Sequence, residues 1–196
     1  MGLPIEQLIV ATNRNDILAR FFQSGEYVKG TVHPTMSPSM DIQVSSNFER
    51  LLFDIEGRDG DRVRALMTAL DQSGGFTVDA ERLTESGKLI DGLSIDEETT
   101  LKTIAAVQAE SGQAVDPHSA IAVAAGRIAR RNNAVAMISL ATAHPAKFPD
   151  AVEKATGQRP ELPSRLADLL QREEKFEVMA NDLAAVKARV RDLARV

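Results

Sequence analysis

Three histidines, a cluster of serines and two polar turns are where this sequence has side chains suited to chemistry. His33, His118 and His144 each adjoin a proline, in His33-Pro34, Pro117-His118 and His144-Pro145. No two share a helix at a spacing of three or four, so local or site-lining roles are expected rather than a three-histidine zinc centre. Ser37, Ser39, Ser45 and Ser46 crowd one segment. None lies in a G-x-S-x-G elbow, and loop hydrogen bonding and helix capping are their expected uses. Two turns, Thr12-Asn13-Arg14-Asn15-Asp16 and Thr142-Ala143-His144-Pro145-Ala146-Lys147-Phe148, follow apolar runs. In an open α/β sheet such turns lie at the carboxyl ends of strands, where ligands gather. The chain has no cysteine, which excludes disulfides, cysteine-held metal centres and thiol nucleophiles. It also has no G-x-G-x-x-G or Walker loop, and Gly74-Gly75 is expected to be a linker between helices.

Those turns need strands before them and helices after them. Leu8–Thr12 (LIVAT) is short, apolar and partly β-branched, and predicts a buried strand. Asp16 is placed to cap a helix over Ile17–Ser24, with Gly25 closing it. Residues 26–45 form a long connection around His33 to Asp41, expected to be functional or mobile. Ser46 and Glu49 fit a capping box for a helix over residues 47–55 that Gly57 ends. The stretch 58–112 reads as helices separated by turns. Residues 61–72 carry Val63, Leu66, Met67 and Leu70 at helical spacing, residues 79–86 form a weaker helix, and Ser94 with Glu97 opens a helix to Ser111. Asp116-Pro117 pairs a capping side chain with proline at the first helical position, starting a helix over 117–130 with small residues nearly all round. Residues 134–140 (AVAMISL) predict a second buried strand. A short helix covers Pro149–Thr156, and the tail is helical near 164–171 and over 181–195, capped by Asn181. Two strands are too few for this much apolar helix surface, so the sheet lacks its neighbours.

Composition narrows the classes of function. A chain of 196 residues, 43% hydrophobic and 26% charged, is globular, with room for one domain or one domain and an appendage. A net charge of −5 disfavours a general grip on nucleic acid or on anionic membrane. Aromatic residues are 4% with no Trp, too few for stacking platforms. No apolar run approaches the roughly 18 residues of a membrane span. The first residues have neither the basic flank nor the apolar stretch of a signal peptide, so a soluble, cytoplasmic protein is expected.

Four stretches carry a resemblance to a known family: ATNRND from Ala11, SPSMDIQVSSNFERL from Ser37, DPHSAIAV from Asp116 and TAHPAKFPDAV from Thr142. In this order they resemble threonine synthase of the bacterial and fungal type, a pyridoxal-phosphate enzyme of fold type II. TAHPAKF is highly specific; residues 58–112 and those beyond 158 match more loosely. The resemblance covers the C-terminal portion of the family only. The family's Schiff-base lysine, in a Lys-Asp-Phe setting, and its Gly-Asn-Phe-Gly phosphate loop are not in this chain. Met1 is therefore expected to be an internal methionine of a longer enzyme. Lys29, Lys88, Lys102, Lys147, Lys154, Lys175 and Lys187 all lie in other contexts.

The resemblance implies an α/β fold: the C-terminal part of a fold type II enzyme, an incomplete parallel sheet flanked by helices. Residues 1–157 would be the C-terminal part of the cofactor-binding catalytic domain, and 158–196 a helical tail. It implies a lyase that converts O-phosphohomoserine and water to L-threonine and phosphate, with pyridoxal phosphate as electron sink. By the same resemblance, Thr142 hydrogen-bonds the pyridine nitrogen, and His144 and Asn13 lie against the cofactor. Asn15 and Asp16 approach the substrate, and Ser39, Asn47 and Arg50 take its phosphate, for which hydroxyl, amide and guanidinium groups are suited. Asp41 orders the loop, since its charge would repel phosphate, and no metal is expected. Partners are the substrate and the N-terminal half of the enzyme, and the chain alone is expected to be inactive. Two rival readings are a truncated homologue that acts as an interaction subunit for a chain supplying that half, and an unrelated α/β ligand-binding domain.

Overall fold

The computed structural model describes residues 3–79, 81–83 and 89–194. Its strands are β1 (Leu8–Thr12), β2 (Glu26–Val28), β3 (Gly75–Thr77) and β4 (Ile90–Ser94). Its α-helices are α1 (Ile17–Ser24), α2 (Phe48–Ile55), α3 (Gly60–Ser73), α4 (Glu97–Ser111), α5 (Pro117–Ala129), α6 (Pro149–Thr156) and α7 (Leu183–Leu193). Short 3₁₀ turns cover Pro38–Met40, Pro145–Lys147, Ser164–Leu166 and Leu169–Gln171. The chain divides into two units, Met1–Glu161 and Leu162–Val196.

In the first unit, β1 and β4 form a two-stranded parallel ladder running from Leu8 opposite Ile90 to Thr12 opposite Ser94. One face packs on α5 through Ile9, Ala11, Leu93, Ile95, Ile121, Ala124 and Ala125. The other receives α1, and the approach is close. A Cβ on Gly92 would stand 2.7 Å from both Cα and O of Ala19, so only glycine lets helix backbone and strand meet here. A second core gathers α1, α2, α3 and the short antiparallel pair β2–β3 around Phe21, Tyr27, Phe48 and Phe76. Tyr27 stacks between Phe48 at 4.9 Å and Phe76 at 5.0 Å between ring centroids. Its hydroxyl accepts the Ser45 N–H at 2.8 Å, while burial raises the pKa of the phenol. A third cluster, Ile104, Ala120 and Val152, joins α4, α5 and α6.

Several helix boundaries match the sequence reading because their signals are local. Gly25, Gly112 and Gly157 adopt φ of 78°, 71° and 72° and close α1, α4 and α6. Asp116 caps α5 by accepting the His118 N–H, with proline at the first helical position. Other expectations need correcting. Residues 58–112 are not all helix and turn, since they contain β3 and β4. Ser94 is no helix cap: it ends β4, and Asp96 caps α4 by accepting the Thr99 N–H at 2.7 Å, which holds its carboxyl below the usual range. Asn47, not Ser46, precedes α2, and it makes no side-chain cap bond. Asp16 likewise makes none to α1. The expected helix over 79–86 falls partly outside the described residues.

The largest correction concerns residues 134–140. They form no strand: the segment leaves a turn at Asn133–Ala134 and runs on without regular structure, largely exposed, with Ile138 82% and Leu140 73% accessible. Among the described residues nothing lies beside it to complete a ladder. It leans on α5 instead, through Ser139 Oγ donating to the Ala122 carbonyl at 3.3 Å and Met137 against Gly126.

In the second unit the helical stretch expected near 164–171 takes the form of two 3₁₀ turns. Its helix α7 is capped by Asp182, which accepts the Ala185 N–H at 2.7 Å, rather than by Asn181. Arg189 pairs with Glu177 at 2.7 Å. No described residue of α7 is buried, and Arg195 lies outside the described residues.

Candidate functional site

At the carboxyl end of the ladder the chain leaves β1 at Thr12 and turns through Asn13 and Asn15, both buried. The Ser94 hydroxyl donates to the Asn13 carbonyl at 2.9 Å and ties the ends of β1 and β4 together. Asn13 Oδ1 accepts the Asn15 N–H at 2.8 Å, a local turn bond. Its amide nitrogen reaches Thr35 Oγ1 at 2.8 Å, Ser37 Oγ at 2.9 Å and Asp41 Oδ1 at 2.7 Å. Asn15 holds His33 by both backbone groups, accepting its N–H and donating to its carbonyl, each at 2.8 Å. Asp41 completes the lock: its Oδ1 accepts from Asn13, Asn15 and the Thr35 hydroxyl, and its Oδ2 accepts the Thr35 N–H at 2.8 Å. Asn13, Asn15 and Asp41 thus tie the irregular segment 33–41 to the end of β1, and Glu97 adds a bond by accepting the Met36 N–H at 2.9 Å. Asn13 and Asn15 spend their amides on it rather than on open space. Asp16 pairs with Arg20 at 2.8 Å across one helical turn.

Ser39 lies on the Pro38–Met40 turn, exposed, and its backbone N–H donates to His118 Nε2 at 3.2 Å. Asn47 and Arg50 are exposed at the start of α2. Among the described residues, no hydrogen bond joins either to Ser39, and Arg50 makes no ion pair. The structure therefore does not bring this trio together by direct contact.

Sequence reasoning assigned Asp116 a capping role and His118 a local or site-lining one, and assigned Ser119 none; all three are buried at the N-terminus of α5. His118 Nδ1 lies 2.8 Å from Asp116 Oδ1, and the Ser119 hydroxyl donates to Asp116 Oδ2. Because Ser39 supplies an N–H to Nε2, the ring proton sits on Nδ1, facing the carboxylate. The ring tilts against Phe148 at 4.6 Å between centroids. The sequence signals for this group were a histidine two residues after a capping Asp and the DPHSAIAV stretch that carries part of the resemblance.

Beside His118 a groove of about 580 Å³ runs between residues 4–9 and the irregular segment 135–142. Small residues of α5, Ala122 and Gly126, line it, along with Met40 and Thr142. Thr142 is exposed there. Its backbone N–H donates to Ser119 Oγ at 3.2 Å, while its hydroxyl has no partner among the described residues. His144 is also exposed, and its Nδ1 accepts the Ala146 N–H at 3.2 Å, capping the Pro145–Lys147 turn. No group of residues suited to hold a metal ion occurs among the described residues, and no described helix is long and apolar enough to cross a membrane. The groove is mostly apolar, with Glu6, Arg130 and Arg131 also on its lining, the mix of apolar wall and few polar groups that small-molecule sites have.

The two-stranded parallel ladder flanked by helices is the fold of part of a type II pyridoxal-phosphate enzyme. It superposes on a threonine synthase from Brucella melitensis, described with pyridoxal phosphate bound, with a TM-score of 0.89 and 50% identity over 100% of this chain and 42% of that one. The yeast threonine synthase follows with a TM-score of 0.86 and 35% identity, over 100% of this chain and 44% of that one. A family model described as the C-terminal region of threonine synthase matches residues 119–190. The threonine synthase of Pseudomonas aeruginosa is 57% identical over 189 residues, 96% of this chain and 40% of that protein. The chain resembles the C-terminal portion of threonine synthases and spans about two fifths of the length of the curated relatives it matches.

Proposed function

We propose that this chain forms the C-terminal portion of a threonine synthase, a carbon–oxygen lyase that converts O-phosphohomoserine and water to L-threonine and phosphate. The observation that carries this reading is the uncommitted Thr142 hydroxyl on the rim of the groove. When bound, pyridoxal phosphate supplies the electron sink for the chemistry. Thr142 would meet its pyridine nitrogen with a neutral hydroxyl, which leaves that nitrogen unprotonated. His144 would line the same side. Asn13 and Asn15 would act by holding the loop that presents Ser39, with Asp16 beside them at the turn. Ser39, Asn47 and Arg50 would meet the substrate phosphate, and the Arg50 guanidinium suits a phosphate oxyanion.

Residues 1–157 would be the catalytic-domain part and 158–196 a tail. The Schiff-base lysine and the phosphate loop would come from the portion of a threonine synthase that precedes this one, which would also cover the groove and the exposed segment 134–140. The 196 residues alone would then be inactive, since no lysine here stands in the required Lys-Asp-Phe setting.

The test joins this chain behind the preceding portion of the Pseudomonas aeruginosa relative. With pyridoxal phosphate, the joined enzyme should release phosphate from O-phosphohomoserine and form threonine. A folded, cofactor-loaded product that releases none would overturn the reading.

A further inference from the structure

The first turn of α5 carries three buried polar side chains that the proposed reaction does not employ. Asp116, His118 and Ser119 form one hydrogen-bonded unit with two outputs. Through Oδ1 the carboxylate accepts the His118 backbone N–H at 2.9 Å and faces Nδ1 at 2.8 Å; through Oδ2 it accepts the Ser119 hydroxyl. From this base, His118 Nε2 takes the Ser39 N–H and Ser119 Oγ takes the Thr142 N–H, each at 3.2 Å. Ser39 and Thr142 belong to segments far apart in sequence, and both are exposed.

We propose that Asp116, His118 and Ser119 act as a positioning clamp that sets the Ser39 turn and Thr142 relative to each other. The proposal rests on the reading that Ser39 serves the substrate and Thr142 the cofactor. Capping α5 needs only the bond from the His118 backbone N–H to Asp116. The two side-chain arms go beyond capping, and each is fixed by donor and acceptor logic. A backbone N–H can only donate, so Nε2 must be the acceptor and Nδ1 must carry the proton. The Ser119 oxygen receives Thr142, so its hydrogen goes to Asp116. One buried carboxylate thereby orients both arms. Successive helical positions lie about 100° apart, so His118 and Ser119 diverge towards different segments from one rigid base. The clamp touches backbone amides only, so it fixes the position of both segments whatever their side chains bind. These are positioning residues, not catalytic ones.

Two amides distinguish the arms. The side-chain amide of Asn occupies the place of Nδ1, whereas that of Gln occupies the place of Nε2. His118→Asn should keep the Asp116 contact and release Ser39; His118→Gln should keep Ser39. Ser119→Ala should release Thr142 alone. Hydrogen exchange on the 196-residue chain reads this directly. Exchange at the Ser39 amide should rise about tenfold in His118→Asn and stay near wild type in His118→Gln, and Thr142 should respond only to Ser119→Ala. In the joined enzyme, His118→Asn should raise KM for O-phosphohomoserine several-fold with little change in kcat, and His118→Gln should restore it. Ser119→Ala should leave KM, lower kcat and shift the absorption of bound pyridoxal phosphate. The clamp is overturned if both amides respond together or neither does, or if Asn and Gln raise KM alike. If the wild-type joined enzyme fails to release phosphate, the functional reading falls, and amide exchange still decides the clamp.

Discussion

Replacing Asp41 by Asn isolates the lock on segment 33–41 with almost no change of volume. The native carboxylate has two oxygens facing four donated hydrogens, three at Oδ1 and one, from the Thr35 N–H, at Oδ2. An amide cannot serve both places. With its oxygen at Oδ1, its NH₂ meets the Thr35 N–H, donor against donor. Turned over, the NH₂ meets three donors. The first orientation is the milder, and it strands one amide and removes the charge from the remaining bonds. A hydrogen bond to a charged group contributes about 1.5–3 kcal/mol. Asn13 keeps Ser37 Oγ and Asn15 keeps the His33 carbonyl in the variant, which limits the loss to about 2–3 kcal/mol. At a denaturant sensitivity of about 2 kcal/mol per molar urea, the unfolding midpoint should fall by about 1 M. Exchange at the Thr35 amide should rise more than exchange in α3, which lies in the other core. A midpoint within about 0.2 M of wild type, or uniform loss of protection, would show that Asp41 does not hold the loop.

Gly92→Ala should cost about 1–3 kcal/mol, because the new methyl meets backbone atoms of Ala19 at 2.7 Å and cannot be relieved by a side-chain rotation; wild-type stability in urea would contradict that contact. Tyr27 gives a pH signature. Its phenol ionises above the ordinary value of 10.0 in the folded chain, so the unfolded chain loses this proton first. Its contribution is intact below about pH 10 and is lost as pH rises beyond it. As the sole tyrosine in a chain without Trp, its ionisation can be followed by ultraviolet absorbance, and Tyr27→Phe should flatten the alkaline loss of stability; an unchanged slope would refute the assignment. In the joined enzyme, Thr142→Val should lower turnover at least about tenfold while urea stability changes by less than about 1 kcal/mol, since the hydroxyl has no partner among the described residues. Wild-type turnover would reduce Thr142 to a turn residue.

Local signals were the legible part of the fold. Gly25, Gly112 and Gly157 end their helices, and Asp116-Pro117 starts α5, through interactions within a few residues. β4 was missed because Ile90-Asp91-Gly92-Leu93-Ser94 has neither alternation nor a β-branched run. Its place depends on Gly92 meeting a helix more than seventy residues earlier. β2 and β3 are three residues each and exist through one another. Residues 134–140 failed in the opposite sense: their composition suits a buried strand, but a strand needs a neighbour as well as a composition. At the site, motif matching picked out Asn13 and Asn15 but could not show which way their amides face, because their partners at 33–41 come from a distant stretch. Asp41 was legible as an ordering residue once the resemblance had put a phosphate beside its loop, because its charge would repel that phosphate. The pairing of Asp116 with His118 needed burial to be seen, since a capping Asp followed by a histidine is ordinary on the surface.

Reconstitution from two pieces tests the central claim most directly. The 196-residue chain, the preceding portion of the Pseudomonas aeruginosa relative, and their mixture are each supplied with pyridoxal phosphate and O-phosphohomoserine, and phosphate release is followed. Each piece alone should give no release above a heat-denatured control, and the mixture should give sustained release with threonine formed in equal amount. Release by this chain alone, or a mixture that associates yet stays inactive, would contradict the assignment of this chain as the C-terminal portion of a threonine synthase.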